Sequence, residues 1–461
     1  MQKTQHVHFI GIGGSGMNGI AGIMLELGYK VTGSDLKTTA VTERLEALGV
    51  TCYAGHAEVN LGAADLVVSS TAIPATNVEL VAAKKKGLPV IHRGEMLARL
   101  MNRQKGIAIA GSHGKTTTTS MIALVFEMNG LDPTIIIGGE LPEISGNAKL
   151  GRGEYLIAEA DESDGSFLKL EPFIEVITNI EDDHLDYYKN VENIITAFRR
   201  FMDKVPDEGL AVMCLDNPTI SRLLPKYDRP FQTYAVGQQK ADYTLRNLRL
   251  NDSSTAGDVY YKEDYLGCIE ISIPGRHNLS NALAAVVVGM FAGIPFSGIA
   301  AALKKFKGAG RRFQYLGEVR GIKVIDDYAH HPSEIKATLK AAQQLKKGRV
   351  VGVFQPHRYT RTLLLGKRFG AAFSDADLII VSDIYSAGEQ PIIGVTARNI
   401  VSEIEKNVDR EVIYLSTRQE IVDYLAKAAR PGDLILTLGA GDIWRAGVEL
   451  VKRLKENYDA G

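Results

Sequence analysis

The segment from Lys105 to Phe126, KGIAIAGSHGKTTTTSMIALVF, constrains the fold more than any other part of the chain. An apolar run suited to a buried strand leads into Gly111, Ser112, His113 and Gly114, then into Lys115, Thr116, Thr117 and a helical pattern. Glycines let backbone N–H groups converge on phosphate oxygens, and the helix start adds the positive end of its dipole. Lysine supplies a mobile cation, and the threonine hydroxyl suits Mg²⁺. This is a nucleotide phosphate loop of the ATP type. Ile109 stands where the first glycine of the usual eight-residue pattern belongs, so the loop is a shortened variant.

A second glycine loop opens the chain. Gly11, Gly13 and Gly16 form GxGxxG behind the apolar run VHFI, with Gly14, Ser15 and Met17 inside or beside it, and Asp35 ends the next strand-like segment. The pattern fits a dinucleotide, another nucleotide diphosphate or a tight turn without ligand. A second, ATP-type loop in the same chain favours a nucleotide diphosphate over NAD. Two phosphate cradles imply two nucleotide ligands.

Apolar runs alternate with helical periodicity along the chain, which reads as parallel α/β structure. At 461 residues the chain exceeds one ordinary core. Three α/β domains are expected: a Rossmann-like domain over 1–104, a central P-loop-type domain with a mostly parallel sheet over 105–311, and a Rossmann-like domain over 312–461. Between about Tyr234 and Ile273 the pattern turns alternating and polar, predicting a small inserted antiparallel sheet. Lys plus Arg (53) nearly cancels Asp plus Glu (54), which excludes a bulk field for nucleic acid or a membrane surface. Cys52, Cys214 and Cys268 have neither CxxC spacing nor an even count, arguing against a disulfide framework or a zinc site. The N-terminus lacks a basic segment followed by a long apolar stretch, so a cytoplasmic location is expected.

Acidic residues cluster where two further strands end. YLIAEADES closes on Glu159, Asp161 and Glu162, and VITNIEDDHLDYY closes on Asp182, Asp183 and His184. In a parallel sheet these ends face the phosphate loop, and one or two carboxylates with phosphate oxygens suffice for Mg²⁺. Each acid could equally be a solvated loop charge.

Taken together, GIGGSGM, GSHGKTTTT, EADESDGSF, NIEDDHLDYY, PGRHNLSNALAA, GAGRRF, DDYAHHPSEI and FQPHRYTRT occur in the order of the Mur ligases, and the chain resembles that family over its whole length. The resemblance implies peptidoglycan precursor synthesis, with UDP-N-acetylmuramate in the first domain, ATP in the central one and an amino acid met by the third. Gly111 to Thr117, Asn278, Asn281, Arg312 and Asp327 would serve ATP. Thr116, Glu159 and His184 would hold Mg²⁺, two ions in all, and Ser34, Asp35, Ser70 and His92 would join the first glycine loop around the UDP-sugar. Lys115, Glu159, His184, His330, Arg358 and Arg361 would act at the reacting groups, with Tyr328 beside them. If HRYTR is helical, Arg358 and Arg361 share one face. Sibling ligases carry a carbamylated lysine after their DHLD segment, and Phe198 stands there here, which fits the alanine-adding branch. The implied partners are therefore UDP-N-acetylmuramate and L-alanine, with no nucleic acid, no membrane, and a monomer or weak homo-oligomer. The recycling ligase that attaches a preformed tripeptide to the same sugar is the nearest alternative.

Overall fold

Three sheets organise the computed structural model, which describes residues 5–144, 146–237, 240–251 and 254–459. The first is wholly parallel: β1 (His6–Ile10), β2 (Lys30–Asp35), β3 (Thr51–Ala54), β4 (Leu66–Ser69) and β5 (Val90–His92), in the order β3-β2-β1-β4-β5. The chain leaves β1 first to one side and later to the other, so the glycine loop after β1 sits at the crevice where strand order reverses.

The central sheet has ten strands: β6 (Lys105–Ala110), β7 (Thr134–Leu141), β8 (Gly146–Lys149), β9 (Tyr155–Glu159), β10 (Ile174–Ile177), β11 (Leu210–Cys214), β12 (Phe231–Val236), β13 (Tyr243–Leu250), β14 (Thr255–Tyr261) and β15 (Asp264–Ile271). Their order is β15-β14-β13-β12-β11-β10-β6-β9-β7-β8, with the phosphate-loop strand β6 between β9 and β10. The two acidic strand ends therefore flank the loop. The small inserted antiparallel sheet expected here is present, but it does not stand alone. β13 to β15 are antiparallel to one another, but β13 runs parallel to β12 and extends the central sheet. The polar alternation recorded a sheet with one solvated face, and it carried no information about which edge that face would join.

The third sheet holds β16 (Gln314–Val319), β17 (Ile322–Asp327), β18 (Val350–Phe354), β19 (Leu378–Val381), β20 (Glu411–Tyr414) and β21 (Leu434–Leu438), in the order β16-β17-β21-β18-β19-β20. β16 is antiparallel and the rest are parallel. The whole is three α/β units with mostly parallel sheets. Among the described residues no helix is long and apolar enough to cross a membrane.

Packing divides these units unequally. One contiguous apolar core runs from Val7 through Phe306 and so joins the first and central sheets. The helix Ser15–Glu26 contributes to it, and its Gly19 lies so close to Ala148 that a Cβ there would stand 3.1 Å from the alanine methyl. The third sheet has its own apolar clusters, one containing Phe354 and the other Val353. It meets the central domain through charged groups. Arg311 and Phe313, in the connection, have φ of 59° and 50°, a conformation that costs a non-glycine residue energy and marks a defined bend.

Candidate active site between the domains

The helix Lys115–Met128 starts at Gly114, which has φ +84°. A Cβ on Gly114 would stand 2.8 Å from Asn281 Oδ1, and one on Gly111, at φ +135°, would collide with Thr178 Oγ1. Only glycine fits at either place, so the loop backbone stays open to a ligand. Ser112 Oγ accepts from Glu181 N at 2.9 Å, and His113 N donates to Asn179 Oδ1 at 2.8 Å, which fixes the loop against the end of β10. Thr117 is buried in the first helical turn. Asn278 and Asn281, both buried on the helix Arg276–Phe291, close the other side. Asn278 Nδ2 donates to Pro274 O at 2.7 Å, leaving its carbonyl oxygen near Asn281 Nδ2.

Lys115 Nζ donates to Gly111 O at 2.6 Å and to Glu162 Oε1 at 2.7 Å. Burial opposes its charge, yet Glu162 and Asp161 raise its pKa, so the ammonium is retained. Glu162 also stands 3.7 Å from His184 Nε2. His184 lies in the left-handed region, at φ 56°, which turns its ring towards this carboxylate. Thr116 Oγ1 donates to Glu159 Oε2 at 3.2 Å, and Gly138 N donates to Glu159 Oε1 at 2.6 Å. Burial pushes the Glu159 carboxyl above its ordinary range. Glu162 Oε2 is buried with no hydrogen-bond partner among the described residues. A hydroxyl, two carboxylates and an imidazole around one loop form a mainly oxygen donor set, and an unsatisfied buried carboxylate oxygen beside them fits a hard divalent cation.

The third domain enters from the opposite side. Arg312 Nη2 lies 3.5 Å from Thr116 Oγ1, and its guanidinium packs over the Tyr328 ring at 5.0 Å. Asp327 accepts from the N–H groups of Phe313 and Ala329, each at 2.8 Å, and burial raises it to about 6 against the pull of Arg312. His330 Nδ1 lies 3.0 Å from Tyr328 O, and burial lowers its pKa to about 3. Arg361 Nη2 is 3.4 Å from Asp183 Oδ1 and Arg358 Nη1 is 3.5 Å from Asp186 Oδ2, so both reach the segment beside His184. They do so differently from the shared helical face expected. The helix spans Tyr359–Phe369, and Arg358 precedes it at φ 69°. It therefore turns to the same segment from outside the helix.

In the first domain Gly11 has φ +79°, and its N–H, like that of Ile12, donates to Ser34 O. Asp35 Oδ2 accepts from Gly13 N at 2.9 Å, where a side chain on Gly13 would clash with it. Gly14 precedes the helix Ser15–Glu26, and Met17 is buried in the helix's first turn. The Ser34 hydroxyl is fully buried and donates to Glu79 Oε2 at 2.5 Å, so its side chain serves the domain interior. Ser70 follows β4, and its carbonyl accepts from Ile73 N. His92 caps the helix Arg93–Met101 and lies 3.3 Å from Asp164 Oδ2. Its neighbour Arg93 crowds Gly16 and pairs with Asp161. Burial would raise the Asp161 carboxyl, but Arg93 and Lys115 hold it below its usual range. Arg93 thus sits beside the first glycine loop and pairs with Asp161, whose carboxylate also feels the charge of Lys115 in the second.

Several members of this constellation were not singled out from sequence. Glu181 and Glu334 flank His113, at 3.3 Å from Nε2 and 3.2 Å from Nδ1. Burial would lower the His113 pKa, but the two carboxylates outweigh it and push it to about 10. The available sign of Glu334 was its place three residues after His331 at a helix start, where it completes a capping box.

Comparison with known proteins follows the same three-part division. Residues 6–105 match the family model described as "Mur ligase family, catalytic domain", residues 109–289 the "Mur ligase middle domain" and residues 311–441 the "Mur ligase, glutamate ligase domain". The UDP-N-acetylmuramate--L-alanine ligase of Pelotomaculum thermopropionicum is 74% identical over 461 residues, covering 100% of both chains. That of Desulforamulus reducens is 55% identical over 456 residues, 98% of this chain and 99% of the other. The crystal structure of UDP-N-acetylmuramate-alanine ligase from Thermotoga maritima matches with a TM-score of 0.84 at 28% identity, covering 98% of this chain and 99% of that one. A murein peptide ligase from Psychrobacter arcticus matches with a TM-score of 0.74 at 25% identity, covering 98% of each.

Proposed function

The chain belongs to the Mur ligase family, and from that premise we propose that it joins L-alanine to the lactyl carboxylate of UDP-N-acetylmuramate, converting ATP to ADP and phosphate. The observation that carries the reading is Arg93, set against Gly16 and paired with Asp161, whose carboxylate is in turn held ionised by Lys115, so that the two phosphate cradles share one set of charges. ATP and the sugar carboxylate are both anionic, so their approach needs fixed cations and little other machinery. Lys115 supplies one at the phosphate loop. Thr116, Glu159 and His184, together with waters and phosphate oxygens, would hold Mg²⁺, two ions on this reading, which would neutralise phosphate charge.

Attack of the carboxylate on the γ-phosphorus gives an acyl phosphate and ADP. The amine of alanine then adds to the acyl carbon, and phosphate leaves. Arg358 and Arg361 suit the alanine carboxylate, because a guanidinium fork pairs with it in two places. His330 is neutral, and donation of Nδ1–H to Tyr328 O leaves its Nε2 lone pair free. That Nε2 is the atom we assign to accept the ammonium proton as the amine adds. Asn278, Asn281, Arg312 and Asp327 frame the nucleotide, and the loop Gly11 to Met17 with Ser34, Asp35, Ser70 and His92 frames the UDP-sugar. ATP as co-substrate puts the reaction in the cytoplasm, and a site drawn from one chain's domains fits a monomer.

The test is product analysis. With ATP, UDP-N-acetylmuramate and hydroxylamine but no amino acid, a hydroxamate should accumulate with ADP; AMP and pyrophosphate would refute the acyl phosphate. Among the twenty amino acids and the cell-wall tripeptide, L-alanine should support ADP release best. Preference for the tripeptide would assign the chain to recycling.

A further inference from the structure

We propose that His113, Glu181 and His331 form a transition-metal site, separate from the Mg²⁺ donors, that fastens the third domain to the phosphate loop. One ligand atom from each lies within 4.8 Å of the others. His113 and Glu181 belong to the central domain, at the phosphate loop and beyond β10. His331 begins the third-domain helix Pro332–Leu345, so a bound ion would bridge the two bodies.

The donor chemistry selects the ion. Two imidazoles with one carboxylate suit Zn²⁺ and similar borderline metals, whereas Mg²⁺ prefers oxygen. Around tetrahedral Zn²⁺, donors lie roughly 3.3 Å apart, as follows from bonds of about 2.0 to 2.1 Å. His113 Nε2 and Glu181 Oε2 already stand at 3.3 Å, and the third ligand has only to close in.

Two independent features point to a ligand. His331 is completely buried, and its Nε2 has no hydrogen-bond partner among the described residues. A bound ion satisfies that atom once the ring proton moves to Nδ1, whose contact with Ser333 N is already long at 3.4 Å. The second feature is the surrounding support. Glu334 Oε1 lies 3.2 Å from His113 Nδ1, so it holds that ring with Nε2 turned to Glu181, and Ser333 Oγ donates to Glu181 Oε2 at 2.7 Å. Carboxylate support behind a ligating imidazole is the usual second layer of a metal centre.

The experiment uses the full-length, metal-free protein and Zn²⁺ in competition with a chromophoric chelator. One tightly held Zn²⁺ per chain is expected, undisturbed by a roughly hundredfold excess of Mg²⁺. Both His331→Ala and Glu181→Gln should weaken it by about tenfold or more. The second variant keeps shape and hydrogen-bonding capacity if loss of the His331 cap unfolds the first. Co²⁺ should give the intense visible bands of a low-coordinate site, lost in Glu181→Gln. No retained Zn²⁺, displacement by Mg²⁺, or unchanged affinity in Glu181→Gln would each overturn the assignment.

Discussion

Glu334→Gln tests whether charge pairs close the third domain over the nucleotide. Glu334 stands 3.2 Å from His113 Nδ1, 3.3 Å from His330 Nδ1 and 3.9 Å from Arg312 Nη1, and it accepts from the N–H groups of His330 and His331. Glutamine keeps the shape and the capping oxygen but removes the charge. Breaking a buried pair costs about 3 to 5 kcal/mol, and the low end applies because Glu181 still faces the imidazole. At about 1.4 kcal/mol per factor of ten, the closed-to-open ratio should fall on the order of a hundredfold. The loss falls on closure and not on folding, because the third sheet has its own core. We expect kcat to drop by a factor of ten or more (roughly) while ATP affinity at the central domain changes little, and scattering with both nucleotides bound to report a more open molecule. The sign of the pH effect follows from His113, raised from 6.5 to about 10 in the closed state. Its contribution to closure is complete below 6.5 and is lost as pH rises through about 10, and the variant should show a shallower loss. A variant with kcat near wild type and unchanged scattering would refute the reasoning.

Lys115→Ala should abolish ADP release and leave UDP-N-acetylmuramate binding intact by calorimetry, since the sugar cradle lies on another sheet; lost sugar affinity would count against that division. Arg361→Lys should raise the KM for L-alanine or lower kcat severalfold, because a point charge replaces a planar fork, and unaltered steady-state kinetics would remove Arg361 from the substrate. Glu79→Gln should destabilise the first domain by about 2 kcal/mol in urea unfolding, as bonds to a buried carboxylate are lost. Burial would raise Glu79, but bonds from His8, Ser34, Asn60 and Ala57 hold it at about 2 against an ordinary 4.5. Its stabilisation is present above 4.5 and lost as pH falls through about 2, so the variant's stability should fall less over that range.

The sequence made the strand, loop and helix around Lys115 readable because glycine, lysine and apolar period all act locally there. Short edge strands escaped it. TCYA and EVIY sit at sheet margins, where half-exposed residues carry no continuous apolar signal. The bond from Ser34 to Glu79 was not legible either, because a side chain's face depends on what packs behind it and Glu79 is 45 residues away. The pairing of His113 with Glu181 and Glu334 was also hidden: the first spans 68 positions and closes only when β10 lies beside β6, and the second spans 221 positions and closes only when two domains meet. Arg358 shows the same limit locally: spacing suggested a common helical face, while a positive φ set it apart.

Phe198 is fully buried in the helix Val191–Met202, with its ring 5.3 Å from that of Phe167. The lysine that the family resemblance assigns to sibling ligases at this place works only after combining with carbon dioxide. An aromatic ring has no such dependence. The catalytic rate of this chain should therefore be indifferent to dissolved bicarbonate, and alanine addition would continue at carbon dioxide tensions too low to keep a carbamate formed.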